Sequence, residues 1–193
     1  MNSIVDDIGV VVQSMRTGLF DQAYDEKSTD PPFLFTGRRQ EIVNETTKLR
    51  KVAETGVNVF PMVALNSEIQ YERRGNIVDY TLNILLAIQT KADLSTEERE
   101  EVNFIPFLYP LYDSFIRNFG KVGLFFWQSE DLRTPPHTPI NRYYYGKGDA
   151  AGTVGNIFNE PVDGIELVGL KFSRDILCSN KFYQLKYEQQ NYE

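Results

Sequence analysis

The chain predicts an α+β fold: a mostly antiparallel sheet with helices packed on one face. Strand-like segments cluster rather than alternating one by one with helices, which argues against a chain of parallel βαβ units. Hydrophobic periodicity gives the order helix, helix, strand, strand, helix, then three short strands. The third observation is IVDYTLNILLAIQT (77–90), in which Val78, Tyr80, Leu82, Ile84, Leu86 and Ile88 form one wholly apolar face. The opposite face turns apolar only towards its end, as a long, half-buried strand does.

Taken in order, Ile4, Ile8, Val11 and Met15 recur at helical spacing, with Ser3 and Asp6 as a capping pair and Asp6–Asp7 at the electropositive helix start. DQAYDEKSTDPP (21–32) reads as a loop, and Phe33–Phe35 as a short extended piece. A second helix is expected from about Arg38 to Thr55, stopped by Gly56. VNVFPMVAL (57–65) reads as a strand that Pro61 confines to an edge or a bulge. NSEIQYERRGN then makes a polar hairpin tip with Gly75 and Asn76 as its turn.

Ser95 and Glu98 match a capping box ahead of EEREEV, so a helix starts there, with Pro106 and Pro110 expected to interrupt or restart it. Leu108, Leu111, Tyr112, Phe115, Ile116 and Phe119 share one stripe, closed by Gly120. GLFFW (123–127) is a short strand, RTPPHTP (133–139) a surface loop outside the sheet, RYYYG extended and GKGDAAGTVGN (146–156) a glycine-rich loop. The last strand lies within 162–172, with Ile165 and Leu167 opposing Glu166, Val168 and Leu170. Residues 1–175 read as a single α+β domain and 176–193 as a polar, tyrosine-bearing extension ordered by a partner.

A length of 193 residues suits one domain with a sizeable core. Twenty Lys and Arg against 27 Asp and Glu leave a net charge of −7, the wrong overall sign for gripping phosphates. Cys178 is the only cysteine, which excludes an intrachain disulfide. The acidic start MNSIVDDIGVVVQSM does not resemble a signal peptide, and no apolar run has bilayer length, so a soluble protein of a reducing compartment is expected. Thirteen Phe and 11 Tyr exceed what the rest of the composition suggests, and fit both a core and wet protein contacts.

Chemistry-bearing patterns are sparse. His137, the only histidine, sits between prolines with neither a cysteine nor a second histidine near it, and reads as structural. GKGDAAGTVGN departs from both phosphate-loop patterns, with Ala151 where the last glycine of the dinucleotide motif belongs. EEREE (97–101), Asp6–Asp7 and Glu130–Asp131 read as solvated acidic faces, and Arg38–Arg39 and Arg73–Arg74 as salt-bridge partners between subunits. The expectation is therefore no enzyme, no cofactor and no metal.

Three stretches form a recognisable set: FTGRRQEIVNETTKL leading into VFPMVALNSEI; ERE followed by FIPFLYPLYDSFI; and HTPINRYYYG followed by NIFNEPVDGIELVGLKF. Together, over about residues 33–172, they resemble a family of small proteins of tailed phages and prophages of Bacteroides-like bacteria, of the tail-completion or tail-terminator kind. That family carries Trp-Gly where Tyr145–Gly146 stands, and the tail after Asp175 is an addition to its pattern. The resemblance implies a tail-terminator-like fold and a structural ring in the phage neck, assembled in the host cytoplasm and carried in the virion. Its partners would be further copies of itself and neighbouring portal, connector or tail proteins, with DNA passing unbound through an acidic lumen and no membrane involved. Tyr71, Arg73 and Arg74 of the hairpin tip, with Tyr143 and Tyr145 of the YYYG segment, are the expected subunit contacts. The competing readings are a non-virion assembly factor or small adaptor, and an enzyme with a carboxylate-based site.

Overall fold

The computed structural model describes residues 3–15, 32–38, 41–42, 44–46, 60–66, 68–128, 134–145 and 161–177. They form α1 (Ile4–Ser14), β1 (Phe33–Gly37), helical residues 41–42 and 44–46, β2 (Met62–Asn66), β3 (Gln70–Arg74) and β4 (Ile77–Gln89). Then follow α2 (Thr96–Arg99), a π-helical segment (Glu100–Leu108), α3 (Tyr109–Lys121), β5 (Phe125–Phe126), β6 (Thr138–Tyr145) and β7 (Val162–Asp175). The expected glycine-rich loop, the loop at 21–31 and the extension from residue 178 lie outside the described residues.

The seven strands make one mixed, mostly antiparallel sheet, as expected of the α+β class. Its spine is the long pair β4–β7, in register from Ile77 opposite Asp175 to Gln89 opposite Val162. Each spine strand carries two short partners on its outer side: β2 and β3 along β4, β6 and β5 along β7. β1 extends the β2 side and runs parallel to it.

The main core lies on one face. There Leu82, Ile84, Leu86 and Ile88 of β4 meet Ile4, Ile8, Val11 and Val12 of α1, and Leu111, Phe115 and Phe119 of α3. Phe119 packs its ring 4.5 Å from Phe125 and 5.0 Å from Phe172, centroid to centroid, fastening α3 to β5 and β7. Such ring pairs add about 0.5–1.5 kcal/mol each beyond their burial. Both capping boxes form: the Asp6 N–H donates to Ser3 Oγ at 3.2 Å, and the Glu98 N–H to Ser95 Oγ at 3.2 Å. Helical packing is not confined to one face, however. Ile42 joins Phe35, Met62, Ala64, Ala87 and Val162 in a smaller cluster on the other side, formed by the alternate residues of the same strands.

Other expectations need correction. Of the helix expected over Arg38–Thr55, residues 41–42 and 44–46 are helical, while Arg38 stands outside as its start, with its carbonyl accepting the Glu41 and Ile42 N–H groups. The remainder lies outside the described residues. β2 is interior, between β1 and β4, because Pro61 precedes it and so removes no ladder donor. Pro106 and Pro110 do not break the helix after Ser95. The chain widens into π turns around Pro106, relieving the clash an α-turn would place on the carbonyl four residues back, and Pro110 falls in the first turn of α3. GLFFW contributes only Phe125 and Phe126 to the sheet.

Thr138 and Pro139 belong to β6, where an edge strand tolerates a proline. β7 is longer than expected and changes phase within itself. Leu82 opposes Leu170 but Ile84 opposes Leu167, so β7 carries an extra residue opposite Asn83. Gly169 supplies the positive φ of +65° for this bulge, and its N–H donates to Asn83 Oδ1 at 2.9 Å. Leu170 therefore joins Ile165 and Leu167 in the main core instead of opposing them. Ile176, placed by sequence in the extension, is buried, and its N–H donates to the Asn76 carbonyl of the hairpin turn at 3.0 Å.

Candidate functional site

The turn stands where the sequence places it, with Gly75 at φ +65°, but residues 70–74, expected as part of a polar tip, form a strand, β3, paired with β4. Every residue of β3 is exposed, and Tyr71 is 70% exposed. Strand alternation divides the expected contact residues. Tyr71 and Arg73 lie opposite Tyr80 and Val78, on the helix-bearing face. There the rings of Tyr71, Tyr80 and Phe172 form a ladder with centroids 6.2 and 5.5 Å apart. Tyr71, Arg73, Ile69 and Tyr80 line a groove of about 400 Å³ beside the start of α1. Arg174, which also borders it, is buried and lies with Nε 2.8 Å from the buried Asp7 Oδ2.

Arg74 is on the other face and joins an intrachain polar set. Its Nη2 donates to Glu72 Oε2 at 3.3 Å, and its Nε lies 3.4 Å from Asp79 Oδ2. Ser173 Oγ donates to Asp79 Oδ1 at 2.5 Å. Arg73 Nε donates to the Gly75 carbonyl at 3.0 Å, stiffening the tip.

Tyr143 lies at the opposite edge of the sheet, on β6, 38% exposed. Its ring sits 4.6 Å from that of Phe104, and its hydroxyl donates to Glu100 Oε2 at 2.7 Å. Tyr109 donates to Glu100 Oε1 at 2.6 Å, and Asn141 Nδ2 donates to Tyr109 Oη at 2.9 Å. One carboxylate thus clamps two phenols and ties β6 to the helices. Tyr145 ends β6 opposite Val162; its side chain lies outside the described residues.

Both phenols are held in the neutral form. The hydrogen bond to Glu100 raises the Tyr109 pKa above its ordinary value, and burial raises that of Tyr143. A raised phenol pKa means the folded chain binds that proton more tightly than the unfolded one. The stability it contributes is therefore complete below the unfolded value of about 10 and falls as pH rises past it. Melting temperatures followed from about pH 9 to about pH 11 should decline less in Tyr109→Phe/Tyr143→Phe than in the parent chain. Equal declines would show that neither phenol contributes.

The acidic runs are not simply solvated faces. Glu97, Glu98 and Glu101 are exposed, but Arg99 between them is 3% exposed and pairs with Asp163, 0% exposed. Arg99 Nη1 donates to Asp163 Oδ1 at 3.1 Å and to Thr90 Oγ1 at 2.8 Å, Nη2 to the Lys91 carbonyl at 2.6 Å and Nε to that of Leu94 at 3.0 Å. Asn103 Nδ2 donates to Asp163 Oδ2 at 2.6 Å and to Thr90 Oγ1 at 2.8 Å. This network fixes α2 and the π-helical segment to the end of β4 and the start of β7. It borders an open cavity of about 550 Å³ lined by Thr90, Lys91, Leu94, Val102 and Asn103. Asp7 likewise is buried against Arg174, while its neighbour Asp6 caps α1. Sequence reasoning missed these pairs, because each joins residues far apart in the chain.

His137 Nδ1 lies 2.6 Å from the Pro135 carbonyl, which can only accept, so Nδ1 carries the proton and Nε2 accepts from Tyr112 Oη at 2.7 Å. This pins the Pro-rich segment to α3. Cys178 lies outside the described residues. Among the described residues no group of His, Cys, Asp and Glu is placed to hold a metal ion, and no helix is long and apolar enough to cross a membrane. No protein-family model and no curated protein matches the chain.

Proposed function

We propose that the chain is a structural protein of the phage head–tail neck or tail, forming a ring that joins portal or connector to tail and lets DNA pass. One observation supports this best. The expected contact residues occupy opposite edges of one sheet: Tyr71, Arg73 and Arg74 on β3, and Tyr143 and Tyr145 on β6. A surface with complementary patches on opposite sides associates head to tail, and a head-to-tail interface generates a ring when its rotation closes. The sequence resemblance supplies the location, in the virion. A net charge of −7 suits a lumen that repels phosphates instead of holding them. Neighbouring portal, connector or tail proteins would complete the joint.

Quantitative mass spectrometry of purified phage particles tests this reading. A handful of copies per particle, in fixed ratio to the portal protein, is the expected result. Absence from intact particles would overturn it and leave an assembly factor or adaptor.

A further inference from the structure

We infer that copies of this chain join by extending the sheet, the free edge of β3 in one copy pairing antiparallel with β6 of the next. The inference rests on the ring reading above and specifies its joint. Among the described residues β3 pairs with β4 alone and β6 with β7 alone, so each has an open side.

Backbone alternation puts the right groups on those sides. In a hairpin with a two-residue loop the flanking pair, Arg74 and Ile77, exchanges both hydrogen bonds. Two-residue alternation then bonds Glu72 inward and turns the N–H and C=O of Tyr71 and Arg73 outward. On β6, Pro139 has no N–H, and a proline in a strand sits with its nitrogen towards an open edge. Asn141 follows it on the same alternation, while Tyr143 enters the irregularity that β6 carries between Arg142 and Tyr145 and is placed on its face by Phe104 and Glu100.

Direction and facing agree as well. β3 and β7 both run antiparallel to β4, and β6 runs antiparallel to β7, so β3 and β6 have opposite senses. A cyclic operation preserves strand sense about its axis, so β6 of the next copy meets β3 antiparallel. Tyr71 and Arg73 share the helix-bearing face, as do Asn141 and Tyr143 through Tyr109, Glu100 and Phe104. Glu72 lies on the other face with Arg74, and Arg142 lies there with Glu166, to which its Nη2 donates at 2.6 Å.

One register satisfies all of this. Tyr71 stands beside Tyr143 of the next copy, Arg73 beside its Asn141, and Glu72 beside its Arg142. That gives an aromatic pair on one face and an opposite-charge pair on the other, the two kinds of cross-strand neighbour that stabilise a sheet. It also uses two large exposed aromatics, Tyr71 and Tyr143. Because β3 lies along the hairpin half of the spine and β6 along the other half, each joint steps along the strands. A closed assembly therefore has strands inclined to its axis, as in any sheared barrel.

The test uses the full chain in solution. Assembly is followed by sedimentation velocity across concentration, and amide exchange at Tyr71 and Arg73 by NMR or mass spectrometry. The expected result is slowing of both amides by roughly tenfold or more as assembly proceeds. Glu72→Arg should weaken association roughly fivefold, and adding Arg142→Glu in the same chain should restore it. Since Arg142→Glu also faces Glu166 within its own copy, its melting is checked alongside. The wild-type exchange data decide the question if that variant does not fold. Assembled chains whose Tyr71 and Arg73 amides exchange as fast as in the dilute monomer would overturn the strand joint, as would a folded double variant without rescue. A chain that stays monomeric at every concentration also overturns it, whereas the ring reading itself stands or falls on copies per particle.

Discussion

Asp163→Ala is expected to cost about 3–5 kcal/mol, the usual penalty for removing one partner of a buried ion pair. Arg99 would then be left 3% exposed among the neutral acceptors Thr90 Oγ1 and the Lys91 and Leu94 carbonyls. Asn103 Nδ2 loses its 2.6 Å acceptor at the same time. The reciprocal Arg99→Met leaves the Asp163 carboxylate, 0% exposed, without its guanidinium and should cost a similar amount. Removing both charges, as Arg99→Met with Asp163→Leu, should recover much of the loss, since apolar replacements of buried pairs are often neutral. Urea denaturation of the parent chain, Arg99→Met, Asp163→Leu and the double variant closes the cycle. Additive losses would show that the pair is not coupled.

The same network shows where the sequence is legible and where it is not. Features set by neighbours a few residues apart are readable: the Ser3–Asp6 and Ser95–Glu98 boxes, the α1 stripe, and the period-two face of β4 from Val78 to Ile88. Each follows from local geometry that tertiary packing then only confirms. Arg99 offers no such signal. It sits in EEREE, where periodicity suggests a solvated face, and its partner lies 64 residues away. The β7 bulge is hidden for the same reason, since its marker, Asn83 accepting from Gly169, spans 86 residues. Pro139 and Pro106 misled in the opposite direction, because the rule that proline breaks regular structure is relaxed at an open sheet edge and in a π turn. Of the candidate contacts, the exposed tip and its turn could be read from NSEIQYERRGN. That Arg74 turns away from Tyr71 and Arg73 follows from strand alternation once 70–74 is known to be a strand, and which face each takes follows only from the register with β4.

Gly164→Ala should be the most damaging single-methyl change in the sheet, and its sign makes it diagnostic. In an ordinary strand position, replacing glycine by alanine stabilises by roughly 0.5–1 kcal/mol, because the unfolded chain loses freedom. Gly164 lies opposite Ala87 in the β4–β7 spine, and a Cβ there would fall 2.7 Å from the Leu86 carbonyl oxygen and 2.9 Å from Leu85 Cδ1. The leucine tip can rotate away, but the carbonyl belongs to the neighbouring strand's backbone and can retreat only if the two strands part. That disturbs the register that sets Asp163 beside Arg99 and carries Ile165 into the core. The expected cost is about 2–4 kcal/mol, the range of overpacking and strain in well-packed interiors. Gly75→Ala provides the control: its φ of +65° strains alanine, but nothing lies within 4 Å of the added carbon. Its loss should stay near about 1 kcal/mol, the price of a left-handed conformation alone. A chemical melt in which Gly164→Ala is the milder of the two would mean that the spine strands yield at Gly164 at little cost.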